Sequence, residues 1–258
     1  MCLLVLAWQT HPRYRLVIAA NRDEYHDRPA APLARWPSPD DFLAGRDLRA
    51  GGTWLAVDRE RRFGVVTNFR ERQRPRRSAP SRGMLVPRWL RHRGEAREFL
   101  ANLEADAAGY SGFNLLVGDA SSLWYASNRA DEFARPLAPG VYGLSNEFLD
   151  TPWPKLRRVR ERFAAWLGAP ESPHSELFRM LDDRERAAEH ELPRTTLPPE
   201  WERTLSSPFV LDPTYGTRCS TVLLVEHSGA AYVAERSFDS EGRLIGEAEF
   251  RLNGGEWP

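Results

Sequence analysis

The chain has 258 residues, of which 41% are hydrophobic and 28% charged, the composition of an ordinary globular protein able to bury a sizeable core. Its 36 basic and 36 acidic residues cancel, so no net field gathers nucleic acid or an acidic membrane surface. Two cysteines, Cys2 and Cys219, do not make a disulfide framework, and a reducing cytoplasm is the expected compartment.

No apolar stretch approaches the roughly 20 residues needed to cross a bilayer. The opening run Cys2 to Trp8 is apolar but lacks a basic leader, and His11, Pro12 and Arg13 stop it before it could serve as a signal peptide. The six histidines show no HExxH spacing and there is no CxxC pair or glycine-rich phosphate loop, so neither a metal nor another cofactor is expected. Lys155 is the only lysine, so nearly all positive charge is arginine.

In chain order, Leu3–Trp8 and Leu16–Ala20 read as two strands of a hairpin. Thr53–Val57 and Phe63–Asn68 form a second hairpin around Asp58–Arg62, entered through Gly51 and Gly52. Arg70–Arg82, rich in arginine and proline, reads as a mobile loop. Met84–Leu90 and Ala96–Leu103 carry apolar residues at helical spacing. Phe113–Val117 and Leu123–Ser127 form a third hairpin, and Val141–Ser145 is a short strand. Two amphipathic helices follow, Trp153–Leu167 and Ser175–Glu189, then a polar, proline-bearing segment from Leu192 to Pro208. Thr217–Glu226 and Ala230–Phe238 make a fourth hairpin, with Ile245–Leu252 as an edge strand. Strands come as hairpins and helices in two blocks, which implies antiparallel sheets covered by helices in a single α+β domain, 1–258.

Met1-Cys2 is a start from which the initiator methionine is normally removed, because cysteine is small. Cys2 then carries a thiol and a free α-amino group on one residue. An unperturbed thiol is only a few per cent ionised at neutral pH, and an α-amino group with a pKa of about 7.7–8 can take its proton. Cys219, inside a strand pattern, reads as an inert buried thiol.

The run Ala19-Ala20-Asn21-Arg22-Asp23-Glu24, with Met1-Cys2 before it, resembles the NRDE proteins, relatives of transport and Golgi organization protein 2. The same likeness continues through Ala50-Gly51-Gly52-Thr53-Trp54, Val66-Thr67-Asn68-Phe69-Arg70, Gly143-Leu144-Ser145-Asn146 and Gly216-Thr217-Arg218-Cys219-Ser220-Thr221. This order also resembles cysteine N-terminal-nucleophile amidases such as penicillin V acylase and bile salt hydrolase. The resemblance implies a four-layer αββα sandwich. It implies that either Asn21 or Arg22, and either Asp23 or Glu24, hold the nucleophile Cys2. It further implies that Asn68 and Asn146 stabilise the oxyanion and that Arg218 stands near the thiol.

Two functions follow. One is an amidohydrolase that cleaves a non-peptide C–N bond of a small, anionic N-acyl substrate. The other is a binding or trafficking protein for haem or acyl-CoA and lipid-type ligands on the same fold, in which Cys2 would be dispensable. Both take a small-molecule ligand, and neither needs nucleic acid or an integral membrane segment.

Overall fold

The computed structural model describes residues 3–71, 79–169, 171–193, 195, 197–253 and 257. These residues form two compact units that alternate along the chain, one of Met1–Asp27, Gly140–Ser145 and Leu149–Arg251, the other of Arg28–Pro139, Asn146–Phe148 and Leu252–Pro258. Each is built on one antiparallel sheet with helices packed on a face of it, the α+β class expected.

The first unit holds strands β1 (Leu3–Trp8), β2 (Tyr14–Tyr25), β10 (Gly140–Leu144), β11 (Tyr215–Glu226), β12 (Ala231–Phe238) and β13 (Leu244–Leu252). They lie in the order β10-β1-β2-β11-β12-β13, so β13 is the edge strand the sequence predicts. Helix α3 (Pro154–Leu167) places Leu156, Val159, Phe163 and Trp166 at helical spacing against Leu3, Val5, Val17, Ala19, Val222 and Leu224. Helix α4 (Ser175–Leu181) adds Leu177, Phe178 and Leu181 to the same core.

The helix expected over Ser175–Glu189 stops at Leu181 for a local reason. Asp183 accepts salt bridges from Arg158 at 3.4 Å and Arg162 at 3.3 Å, and its carbonyl takes the Phe209 N–H at 2.8 Å. Those bonds turn the backbone away from the helix axis. A short helix, α5 (Pro199–Thr204), lies inside the segment 192–208 that reads as irregular, started by the two prolines Pro198 and Pro199.

The second unit is a seven-stranded sheet in the order β3-β4-β5-β6-β7-β8-β9. Its strands are β3 (Ala30–Arg35), β4 (Phe42–Asp47), β5 (Leu55–Asp58), β6 (Phe63–Asn68), β7 (Phe113–Gly118), β8 (Leu123–Ser127) and β9 (Ala134–Pro136). Helices α1 (Leu85–Arg91) and α2 (Ala96–Asp106) lay Val86, Trp89, Phe99 and Leu103 over Phe42, Ala56, Phe113 and Leu115. Strands β3 and β9 escape the sequence pattern because they are short edge strands whose residues are mostly half-buried or exposed, and β4, next to the edge, because its buried run covers only Phe42 to Gly45. Within the arginine-rich Arg70–Arg82 segment, the mobile loop expected there, residues 72–78 lie outside the described residues.

The Ala50–Trp54 motif has a steric basis. A side chain at Gly52 would sit 2.4 Å from the Gly83 backbone, and one at Gly45 would sit 2.2 Å from the Trp54 ring. Gly51 supplies the left-handed turn, with φ at 75°.

The β5–β6 hairpin buries an acid. Asp58 Oδ1 accepts the backbone N–H groups of Glu60 and Arg62, each at 2.9 Å, whereas Oδ2 is buried without a hydrogen-bond partner. Burial pushes the Asp58 carboxyl up to about 6 from its ordinary 3.8. The unfolded chain therefore loses its proton first, and the native state weakens as pH climbs from 3.8 to about 6 and stays weakened above that. Asp58→Asn keeps the Oδ1 acceptor and removes the charge. It is expected to stabilise the protein at pH 8, by about 3 kcal/mol at most, and to change little at pH 4. Thermal unfolding of both proteins at the two pH values checks this, and an equal effect at both would contradict the assignment.

Candidate functional site

The site residues of the first unit follow from the length of β2. The expected strand ends at Ala20, but the observed one runs to Tyr25 because β11 pairs with it throughout, from Leu16 opposite Val225 to Tyr25 opposite Tyr215. Asn21–Glu24 thus lie inside a strand, and their side chains alternate between its faces.

Asn21 and Asp23 point to the helix-bearing face. Asn21 Nδ2 donates to the carbonyls of Leu181 at 2.8 Å and Pro208 at 3.0 Å, and its Oδ1 accepts from Ser220 Oγ at 2.6 Å. Asp23 Oδ1 accepts from Thr217 Oγ1 at 2.7 Å, and that same hydroxyl oxygen accepts the Val210 N–H at 2.9 Å. Both residues are wholly buried and fasten the end of α4 and the 208–210 segment to the sheet.

Arg22 and Glu24 take the opposite face. The Arg22 guanidinium is 4% exposed and lies 3.9 Å from the Glu24 carboxylate. Leu3 pairs with Asn21, so Arg22 stands one residue past that pair, inside β2 and next to the start of β1. Across from it on β11 is Cys219. Arg218 occupies the bulge between Thr217 and Cys219 and donates from Nη1 to the carbonyls of Tyr25 and His26, both at 3.1 Å. Burial, and next the charge of Arg22, lower the proton affinity of Arg218.

Sequence reasoning missed the rest of this face. Glu235 of β12 is 2% exposed and accepts from Thr221 Oγ1 at 3.1 Å. Burial and then the Glu235 charge push the Cys219 thiol well up, which fits the inert thiol expected. The signal was present, since Glu235 sits in step with Val233 on a strand where that face is apolar. An acid at such a position is costly unless it is bonded.

In the second unit the structure brings Asn68 and Asn146 together. Asn146 Nδ2 donates to the Asn68 carbonyl at 3.1 Å, and the Asn146 carbonyl accepts the Arg70 N–H at 2.6 Å. The Asn68 carboxamide makes no hydrogen bond of its own among the described residues. A residue the sequence did not single out, Asn114, holds the arrangement. Its Nδ2 donates to Thr67 Oγ1 at 3.1 Å and to the Glu147 carbonyl at 2.9 Å, and its Oδ1 accepts from the Tyr125 hydroxyl at 2.8 Å. Phe69, next to Asn68, and Phe148, two residues after Asn146, meet edge to face with ring centroids 4.9 Å apart. Cys2 lies outside the described residues. Among those residues, no helix is long and apolar enough to cross a membrane and no group of His, Cys, Asp and Glu is arranged to hold a metal.

The family model for Transport and Golgi organisation 2 matches residues 1–240. The chain is 35% identical to the transport and Golgi organization protein 2 homolog of Bos taurus over 257 residues, spanning 92% of this chain and 93% of that one. It is 31% identical to the Homo sapiens homolog over the same shares, and 28% identical to the Drosophila melanogaster protein over 92% of each chain. Among solved structures it is similar to the Caenorhabditis elegans N-acylethanolamine-hydrolyzing acid amidase ortholog, with a TM-score of 0.52 over 86% of this chain and 92% of that one. At 10% identity that likeness shows the fold alone, and it agrees with the sheet-and-helix sandwich expected from the sequence. The match along residues 1–240 and the agreement with relatives over nine-tenths of their length establish that the chain belongs to the transport and Golgi organisation 2 family.

Proposed function

We propose that the chain is an amidohydrolase whose nucleophile is the Cys2 thiol, freed at the N-terminus by removal of Met1. The observation that carries the proposal is the buried guanidinium of Arg22, one residue past the Leu3–Asn21 pair and so beside the start of β1, with Arg218 of β11 near enough to be influenced by its charge. A buried guanidinium favours thiolate over thiol, and it can also hold an anionic group of a substrate. In the reaction, the thiolate adds to the amide carbonyl while the α-amino group carries the displaced proton to the leaving nitrogen. The C–N bond breaks, amine departs, and water hydrolyses the acyl thioester to a carboxylic acid and the free thiol.

Arg22 and Glu24 are the orienting pair in this reading, since Asn21 spends both ends of its amide on Leu181, Pro208 and Ser220. Asp23, bonded to Thr217, supports them through the backbone. The resemblance to cysteine N-terminal-nucleophile amidases gives Asn68 and Asn146 the role of amide donors to the oxyanion, a role worth about 3–4 kcal/mol where such a donor has been removed from other enzymes. The substrate class is a small N-acyl amine or N-acyl amino acid bearing an anionic group. The structural neighbour is named for hydrolysis of an N-acylethanolamine, which supports the bond class but not the substrate.

A second reading has its own support in the relatives' printed name, which speaks of transport and Golgi organization rather than hydrolysis. A carrier of an anionic ligand, such as haem or an acyl-CoA or lipid-type molecule, would use the same arginines and have no need of the thiol.

Intact mass after iodoacetamide treatment separates the two. The hydrolase reading expects loss of Met1 and alkylation of Cys2 much faster than of buried Cys219, with labelling slowed in Arg22→Gln. Retained Met1, or equal reactivity of the two cysteines, would sink it. A second measurement separates positioning from chemistry. Asn21→Ala strands two buried carbonyls and a hydroxyl and is expected to lower stability by about 2 kcal/mol or more in urea unfolding. Asn68→Ala, at a strand end with an uncommitted amide, is expected to leave stability nearly unchanged while reducing turnover of an N-acyl substrate.

A further inference from the structure

We propose that the first unit carries a second ligand site, separate from the Cys2 site, that binds the zwitterionic head of a free amino acid. A cavity of about 440 Å³ opens between the start of β2, the 171–175 segment, α4, β12 and β13. None of the residues assigned to amide hydrolysis lines it, so this assignment stands or falls apart from that reaction.

Three arginines border the cavity, and each is fixed twice. Arg251 donates from Nε to Glu249 at 2.7 Å and lies over the Tyr232 ring, 5.1 Å from its centroid. Arg236 donates from Nε to Glu247 at 3.2 Å and covers Phe178 at 4.4 Å. Arg13 is paired with Glu226 at 2.8 Å and lies over Tyr14 at 5.2 Å. An exposed arginine–glutamate pair by itself signifies little. Here the aromatic faces hold the guanidinium planes still, and for Arg236 and Arg251 only Nε is spent on the carboxylate. Their outer N–H edges remain in position for a bidentate carboxylate.

The floor is polar and neutral. His174 Nε2 shares a hydrogen bond with the Tyr14 hydroxyl at 3.0 Å, and its ring contacts Tyr232 at 4.6 Å. Tyr232 in turn donates to Glu249 at 3.0 Å. Burial, then the charges of Arg13 and Arg251, hold the His174 pKa below its usual value, which disfavours the charged imidazolium.

Charge balance selects the ligand class. The lining carries Arg13, Arg236 and Arg251 against Glu171, Glu247 and Glu249. A simple anion would meet the three carboxylates, and a simple cation the three guanidiniums. A molecule with a carboxylate and an ammonium a few ångströms apart matches both, and the volume admits an amino acid with a large side chain.

Titration calorimetry on the full chain with glycine, L-leucine and L-phenylalanine tests this, alongside N-acetyl-L-phenylalanine and L-phenylalaninamide. At least one free amino acid is expected to bind with a Kd of about 1 mM or tighter, and both blocked forms about tenfold or more weaker. Arg251→Gln, at an exposed side chain, is expected to weaken binding about tenfold with the fold intact by circular dichroism and Cys2 alkylation unchanged. Arg236→Gln provides the same comparison should Arg251→Gln misfold. Binding of the N-acetyl form as tight as the free amino acid would make this an anion site and overturn the proposal. Equal binding of the amide would make it a cation site, with the same result. Absence of binding by every free amino acid, or full affinity in the folded variants, would also overturn it.

Discussion

Strand β2 is paired with β1 along its centre and with β11 along nearly all of its twelve residues, and the longer β11 ladder governs the polar end of the first unit. Of the polar run only Asn21 is held on both edges, by Leu3 and Ser220, whereas Arg22, Asp23 and Glu24 are paired with β11 alone, and that ladder keeps them extended so that the four side chains alternate. Asn21 and Asp23 become internal braces, and Arg22 and Glu24 are delivered to the other face with no freedom to exchange roles. The buried amide of Asn21 makes the arrangement self-consistent. It supplies the hydrogen bonds that the end of α4 and the Pro208 carbonyl would otherwise lack.

The same principle appears in the second unit with different residues. Asn114, fully buried on β7, uses its amide to fix Thr67, Tyr125 and the Glu147 carbonyl. Residues 146–148 are thereby fixed to the end of β6, where Asn68 sits. In both units an asparagine in a strand interior, a position where its side chain is expensive unless fully bonded, organises the polar residues around it.

Much of this was legible in the sequence, and the reason is periodicity. The hairpins at 3–20, 53–68, 113–127 and 217–238 announced themselves through apolar runs with turn residues between them, and α3 through its i, i+3, i+7 stripe. The family resemblance, resting on dispersed motifs, pointed to the correct fold. What could not be read was the outcome of pairing. The polar run Asn21–Glu24 looks like a strand exit, and only the ladder to β11 makes it strand. Glu235 is buried in step with Val233 on β12, a placement that depends on which face of the strand the sheet turns inward. Asn114 has no local signature, because its three partners come from β6, β8 and the segment after β10. The end of α4 was set by Arg158 and Arg162 on another helix, which no local window contains.

The order in which the sheets are written along the chain carries a consequence for synthesis. Residues 28–139 supply all seven strands of the second sheet in one run, whereas β1 and β2 must wait for β10 at residue 140 and β11 at residue 215. At ribosomal speeds that wait is on the order of 10 to 40 s. Throughout it, a hairpin whose six β1 residues are all buried in the finished protein stays incompletely paired, a state that invites chaperone binding.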